Sequence, residues 1–375
     1  MLIGIDGNEA NIENRVGVNM YAYEVIWGLY KMSQEKPFEH RLIVYLKNKP
    51  LSDMPKPTKN FEYKLLPGGK VWILTKLMPH LFLASQKPDI IFSPSHYVPP
   101  FSPVPRVCSI MDLGYLEFSA QFKKYDYWQL KAWTAISILV SKYIISISEA
   151  TKKDIVRHYK FAVKKIRVMP LAHDKKVFNP KIKDDNVRLI KKRHSIVNDY
   201  ILFLSTLKPS KNLDGVLEAF AIISRDYPDL QLVVTGKRGW LYQETLKKVE
   251  ELELGGKVIF TGFIPEEDKP ALLRGAKLLV SPSFWEGFGL HVLESMAVGT
   301  PVVVSDRGSL REVVGEAGEI VDPQNAKDIA KGIDKILGES DVKYQERVKR
   351  GIIRSQKFDW DQTAKLTLSI LTHDV

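Results

Sequence analysis

The feature that most restricts this chain is a repeated alternation. Short apolar runs are followed by segments whose apolar residues recur at helical spacing. Leu2–Asp6 is such a run, and after Gly17 the residues Val18, Ala22, Val25, Leu29 and Tyr30 follow a helical period. Further runs stand at Arg41–Leu46, Ile90–Ser93, Val107–Ile110 and Tyr143–Ile147. The second half repeats the pattern at Tyr200–Ser205, Gln231–Thr235, Lys257–Phe260, Lys277–Ser281 and Pro301–Ser305, with helical spacing such as Leu213, Val216, Leu217 and Phe220 between them. Continuous Val/Ile/Leu runs, rather than strict apolar–polar alternation, indicate strands covered on both faces, hence parallel sheets with crossover helices. Two such sets predict an α/β chain of two doubly wound domains, each binding ligands at the carboxyl ends of its strands. The polar, basic stretch from Pro180 to Asn198 marks the boundary. The predicted division is therefore 1–190 and 191–356, with 357–375 a terminal helix packing back toward the first domain.

With 375 residues, 45% of them hydrophobic, each domain can bury its own core. The single cysteine, Cys108, cannot form an internal disulfide and points to a reducing compartment. The opening MLIGIDGNEA lacks a basic n-region and a long apolar h-region, so no signal peptide is expected. The most apolar window, Ala132 to Ser148, is broken by Lys142 and several hydroxyls, short of the roughly 20 apolar residues a bilayer needs. A cytoplasmic, water-soluble chain is expected. Charge is unevenly spread. Residues 1–200 carry 32 Lys and Arg against 18 Asp and Glu, a balance of +14, whereas residues 201–375 carry 23 against 26, or −3; together these make the net +11. One half thus suits an anionic partner.

The stretch EGFGLHVLE, Glu286 to Glu294, carries two carboxylates and two glycines at the head of a short helix that Gly299 and Pro301 terminate. On a wheel of about 100° per residue with Leu290 at zero, Leu293 falls about 60° to one side, Ala297 about 20° to that side, and Glu294 about 40° to the other. Glu294 therefore lies in the apolar arc, where a carboxylate needs hydrogen-bond donors, and ligand hydroxyls are one source. Gly287 and Gly289 permit close backbone approach, and the helix start presents free N–H groups that suit a phosphate. Acceptors flanking an anion site match the ribose, diphosphate and hexose of a nucleotide sugar.

EGFGLHVLE, followed by MAVGTPVVVSD and EVVGEAGEIVDP, resembles the retaining glycosyltransferases of family 4, whose GT-B fold has two facing Rossmann-like domains. STLKPSKNLDGVLEAF resembles the family's phosphate-binding strand–loop–helix, RVGVNMYAYEV its first glycine loop, and SISEATKKDI a segment near the end of its first domain. The likeness is good from Tyr200 to Asp322 and weaker elsewhere. It implies that Glu294 holds the ribose hydroxyls, that Glu286 contacts the transferred sugar, and that the amides of Gly289 and Leu290 hold the diphosphate with Lys211 as cationic partner. It also implies that Gly17 allows a close approach to the phosphate. Lys211 has its own basis, since it follows a predicted strand and precedes a helix start; the other reading is a solvated loop lysine.

Two departures stand out. Ser210 occupies a position where many relatives carry Arg, leaving Lys208 or Lys237 to add phosphate charge. In SIMDLGYLEF, Met111 stands where the family has His, so that role does not transfer; His96 in SPSHYVPP is either a substitute or a structural loop residue. Asp112 keeps its family position and either binds the sugar or caps a helix. Asp359-Trp360-Asp361 has the D-x-D form of some metal sites, but it opens the amphipathic KFDWDQTAKLTLSIL, where Asp is an expected N-cap. No metal and no cofactor are expected. The absence of G-x-G-x-x-G after the first strand argues against a dinucleotide dehydrogenase. KVWILTKLMPHLFLA reads as core, or as an interfacial segment with Trp72, Leu77 and Phe82.

The resulting expectation has an acceptor-side first domain and a nucleotide-sugar-binding second domain. Glu286, Lys211 and Asp112 serve transfer, and Gly17, Lys211, Gly289, Leu290 and Glu294 bind donor. The donor is a nucleotide sugar, with GDP-mannose preferred because TLKPSKN resembles mannosyltransferase-type members. The acceptor is a glycan or a lipid-linked sugar. An anionic membrane surface is a candidate partner through Trp72, Phe82 or Trp128 with Lys123, Lys124 and Lys131, placing the chain peripherally on the cytoplasmic face. Nucleic acid is not expected, since no recognisable module accompanies the basic charge. The rivals are a nucleotide-sugar epimerase and a non-catalytic basic binding protein.

Overall fold

The computed structural model describes residues 1–119, 123–237 and 242–372. The chain divides into two units, Met1–Leu171 with Asp359–Val375, and Ala172–Phe358. The first unit holds β1 (Leu2–Asp6), β2 (Arg41–Leu46), β3 (Phe61–Leu65), β4 (Ile90–Ser93), β5 (Arg106–Ile110), β6 (Tyr143–Ser146) and β7 (Ile166–Val168) in the order β3-β2-β1-β4-β5-β6-β7. The second holds β8 (Tyr200–Leu204), β9 (Gln231–Thr235), β10 (Val258–Gly262), β11 (Leu278–Ser281), β12 (Val302–Ser305) and β13 (Glu319–Val321) in the order β10-β9-β8-β11-β12-β13. Neighbouring strands pair in parallel in both sheets. The expected pair of doubly wound α/β units is the architecture found.

Strand order reverses between β1 and β4 in one sheet and between β8 and β11 in the other. At such a switch point the two following helices leave on opposite faces, and a crevice opens beyond the strand ends. In the second unit the sheet core of Ile201, Phe203, Leu232, Val234, Leu278 and Val280 is fully buried and packs with the apolar faces of helices Leu213–Ile223 and Ala326–Leu337. Burial of each such side chain contributes about 1.5–3 kcal/mol. None of the described helices is long and apolar enough to cross a membrane.

Several expectations need correction. The boundary lies at Leu171/Ala172, not at 190. The helix Asp184–Arg193 belongs to the second unit because it packs on helix Lys269–Gly275, with Ile190 buried and Arg193 paired to Asp268. Three strands had no counterpart in the apolar runs, β3, β7 and β13, and all three are sheet edges. An edge strand is short and half-solvated, so FEYKL needs no continuous apolar run. Trp72 is no membrane anchor: it is 4% exposed, lies in the core with Leu77, and donates Nε1–H to the Leu66 carbonyl. The exposed apolar residues of that segment are Val71 at its start and Phe82 and Leu83 at its tail.

Residues 359–372 lie with the first unit. The helix Trp360–Thr372 packs on helix Val18–Gln34 so closely that a Cβ on Gly28 would lie 2.4 Å from Ala364 Cβ. Asp359 Oδ1 accepts the backbone N–H of Asp361 and Gln362, so this Asp caps the helix, and Asp361 pairs with Lys31.

One residue ties the second unit's loops together. Asn212 sits at φ +60° before helix Leu213–Ile223; its Oδ1 accepts from Gly215 N, and its Nδ2 donates to Pro282 O at 3.0 Å and Pro323 O at 2.7 Å. The loops after β8, β11 and β13 thus meet at one buried amide. Asn212→Ala removes the cap and strands two carbonyls, so urea unfolding should show a loss of about 2–4 kcal/mol; a change within 0.5 kcal/mol, roughly that of a neutral surface substitution, would remove the clasp role.

Candidate functional site

The loops after β8 and β11 flank the second unit's switch point, and they carry Lys211 and Glu286. Lys211 ends the 3-10 turn Pro209–Lys211, one residue before Asn212. Its Nζ lies 2.6 Å from Glu286 Oε1 and 3.4 Å from the Trp285 carbonyl, with both charged side chains mostly buried. Burial by itself pushes the Glu286 carboxyl up. The charge of Lys211, with hydrogen bonds from Lys211 and Ser283, outweighs that and holds it below the ordinary glutamate value. Glu286 is therefore ionised at neutral pH, and the reading of Lys211 as a solvated loop lysine does not hold.

The Glu286 loop is fixed through its backbone. Phe284 N donates to Ser210 O, and Ser305 Oγ donates to Ser283 O. The Glu286 carbonyl accepts from both the N–H and the hydroxyl of Ser309, at 3.1 and 3.0 Å. Gly308, at φ +59°, lies so close that a Cβ there would sit 2.5 Å from Glu286 O. Any side chain at 308 would push the carboxylate loop away from β12. Ser210 thus serves the loop through its carbonyl, whatever its side chain lacks in charge. Lys208 and Lys237 are exposed, and their loops meet where Leu207 N donates to Lys237 O.

Gly289 is the residue before helix Leu290–Ala297, and a Cβ there would lie 2.5 Å from Leu310 Cδ2. Glu294 is on the buried side of that helix, as its angle predicts, and is 7% exposed. Within the protein its donor is Lys269. Lys269 Nζ lies 3.1 and 3.3 Å from the Glu294 oxygens and 2.8 Å from Glu266 Oε2, beneath the ring of Phe178 at 5.5 Å. Burial pushes Glu294 up and Lys269 only partly offsets it, whereas Lys269 itself is held above the ordinary lysine value because its two carboxylates outweigh its burial. A cation facing two carboxylates leaves oxygen lone pairs unfilled on Glu294, the capacity a vicinal diol would use.

The sequence reading missed Lys269, His291 and Ser309. His291 lies inside EGFGLHVLE; its Nε2 is 2.8 Å from Ser281 Oγ at the end of β11, and burial lowers its pKa to about 4, so it is neutral beside Glu286. Its signal was visible as a histidine one residue into the helix. Lys269 had none, because EEDKP reads as a charged surface turn and only folding brings it under Glu294.

Gly17 and Asp112 belong to the first unit. Gly17 precedes helix Val18–Gln34 at φ +53°, which favours glycine, and nothing lies within 4 Å of where its Cβ would be. Asp112 is exposed beyond β5, and its Oδ1 accepts from Gly114 N at 2.8 Å, the turn into helix Gly114–Glu117. The Met111 carbonyl accepts from Thr151 Oγ1. His96 stacks on Tyr97 with ring centroids 3.9 Å apart, and burial lowers its pKa to about 4. Tyr21 OH and Ser109 Oγ, 2.9 Å apart, link helix Val18–Gln34 to β5.

Residues 188–354 match the family described as Glycosyl transferases group 1. The chain is 31% identical over 233 residues to the O-antigen chain mannosyltransferase B of Escherichia coli, an overlap of 61% of this chain and 60% of that protein. Among solved structures, sucrose-phosphate synthase from Thermosynechococcus elongatus superposes with a TM-score of 0.74 at 20% identity, covering 99% of this chain and 98% of the other. Anabaena HepE in complex with UDP-glucose gives a TM-score of 0.74 at 17% identity, covering 99% of each chain. At such identities the two structures speak for the fold, two Rossmann-like units of the GT-B type. The matched residues fall inside the second unit, which is therefore a glycosyl transferases group 1 domain.

Proposed function

We propose that this chain is a metal-independent retaining glycosyltransferase that moves a hexose from a nucleoside diphosphate sugar to a hydroxyl of a glycan or lipid-linked acceptor, with GDP-mannose as donor. The observation that carries the reading is the Lys211–Glu286 pair at the switch point, beside the start of helix Leu290–Ala297 and with Glu294 buried one turn on. The name of the Escherichia coli relative supports mannose, and the UDP-glucose bound to HepE supports a nucleotide-sugar donor for the fold.

In this reading Glu294 accepts the ribose hydroxyls, and the amides of Gly289 and Leu290 take the diphosphate at the positive end of the helix. Lys211 stabilises the charge that grows on the diphosphate as the glycosidic bond breaks, in surroundings dry enough to strengthen the interaction. Glu286, held ionised, contacts the transferred sugar. The acceptor oxygen attacks the face the diphosphate leaves, the new C–O bond forms as the old one breaks, and the departing phosphate oxygen takes the acceptor's proton.

Incubation with labelled nucleotide sugars and candidate acceptors tests the reading. Label should pass to a second molecule, fastest from GDP-mannose and equally well in EDTA. Conversion of the donor to an isomer with no transfer would make the protein an epimerase, and a requirement for added manganese would end the metal-independent proposal.

Glu294→Gln keeps the shape but removes a charge that accepts two donors, a loss of about 1–3 kcal/mol in donor binding. Calorimetric titration should show the Kd rising by roughly ten- to a hundredfold with the far-UV spectrum unchanged. An unaltered Kd would leave the ribose without its assigned acceptor.

Lys211→Ala should lower kcat more than donor affinity, because its interaction strengthens as the diphosphate departs. It also leaves Glu286 buried without its counter-charge, so the melting temperature should fall and Glu286→Gln in the same chain should restore part of it. Equal losses in kcat and affinity would reduce Lys211 to a ground-state contact.

A further inference from the structure

The first unit carries a surface that its fold does not use. In helix Lys124–Val140 the inward residues are Thr134, Ser137 and Ile138, which face β5 and the core around it. On the opposite side Tyr125, Trp128, Ile136 and Leu139 recur at helical spacing and stand in solvent, with Tyr125 76%, Trp128 61% and Leu139 61% exposed. The 3-10 segment Lys160–Lys165 continues the patch, because Lys165 Nζ donates to the Leu139 carbonyl at 2.9 Å. That segment adds Phe161, 54% exposed, and Val163. A contiguous apolar surface of this kind on a folded unit marks an interaction site.

Charge identifies what covers it. Across residues 123–142 and 160–167 there are eight Lys and Arg and one acid, Asp126. Several cations stand over the rings: Lys131 lies 4.9 Å from the Trp128 ring centre, Lys165 5.9 Å from Phe161, and Arg167 5.1 Å from Tyr143. Exposed aromatic and aliphatic tips among lysines are the composition of a helix that lies in a lipid interface, with rings at headgroup depth and ammonium groups among phosphates. A protein partner would need a strongly acidic apolar face, and a nucleic acid would make no use of Leu139 or Val163.

We infer that the face formed by helix Lys124–Val140 and segment Lys160–Lys165 docks on an anionic lipid bilayer. This moves the contact away from Trp72, which is core, and keeps Trp128 and Lys131. The inference gives the proposed lipid-linked acceptor its setting, but binding is measured without donor or acceptor, so the two can fail separately.

The experiment is flotation of the full chain with vesicles of phosphatidylcholine alone or with phosphatidylglycerol. Binding should require phosphatidylglycerol and fall steeply as salt rises. Neutralising Lys131, Lys164 and Lys165 to Gln should weaken partition on the order of a hundredfold, at roughly fivefold per charge. The triple variant Trp128→Ser, Leu139→Ser, Phe161→Ser should lose vesicle binding while transferring sugar to a water-soluble acceptor at the original rate. No binding to anionic vesicles at low salt overturns the inference. So does retention of binding by the triple variant, or a concentration-dependent dimer of the parent chain, seen in sedimentation, that the triple variant abolishes.

Discussion

The second unit depends on the side chain of Asn212. Parallel strands end in loops that have no ladder to hold them, so their backbone groups need other partners. One carboxamide meets that need for three loops at once, accepting from its own helix and donating to Pro282 O and Pro323 O. The left-handed backbone at Asn212 costs energy for most residues and little for asparagine. Because Lys211 is its chain neighbour and Glu286 lies four residues beyond Pro282, the clasp that closes the sheet end also sets the spacing of the ion pair.

That pair and its neighbour are two different solutions to burying charge. Lys211 and Glu286 meet one to one, and the carboxyl is drawn down. Glu294 shares Lys269 with Glu266, and its carboxyl is pushed up. Isolated buried charges would be costly, and paired ones roughly break even. What such pairs contribute is polarity fixed before a ligand arrives, held by a neutral His291 and by Ser309 and Gly308 behind the Glu286 backbone. Fixed dipoles and charges need no reorganisation when a ligand binds.

The charge asymmetry has a structural counterpart. In the first unit, cations and exposed apolar tips stand together on the outward side of helix Lys124–Val140 and the segment Lys160–Lys165. A basic surface by itself attracts any polyanion. Combined with rings and aliphatic tips it selects an interface with both phosphate and hydrocarbon.

Much of this was legible in the chain. Interior strands, buried on both faces, must be continuously apolar, so β1, β2, β4, β8, β9, β11 and β12 follow from composition over four to six residues. The inward position of Glu294 follows from the helical period, and the capping role of Asp359 from its place before an amphipathic run. Edge strands β3, β7 and β13 left no such mark, since half their surface faces water. The domain boundary was misplaced because helix Asp184–Arg193 is polar in sequence and declares its side only by packing on Lys269–Gly275. Trp72 reads equally as anchor or core until its indole finds the Leu66 carbonyl. Spacing along the chain determines which residues share a face. Which cation stands opposite which carboxylate, as Lys269 does for Glu294 across 25 residues, is decided by the crossing of helices and loops in space, and no local pattern records it.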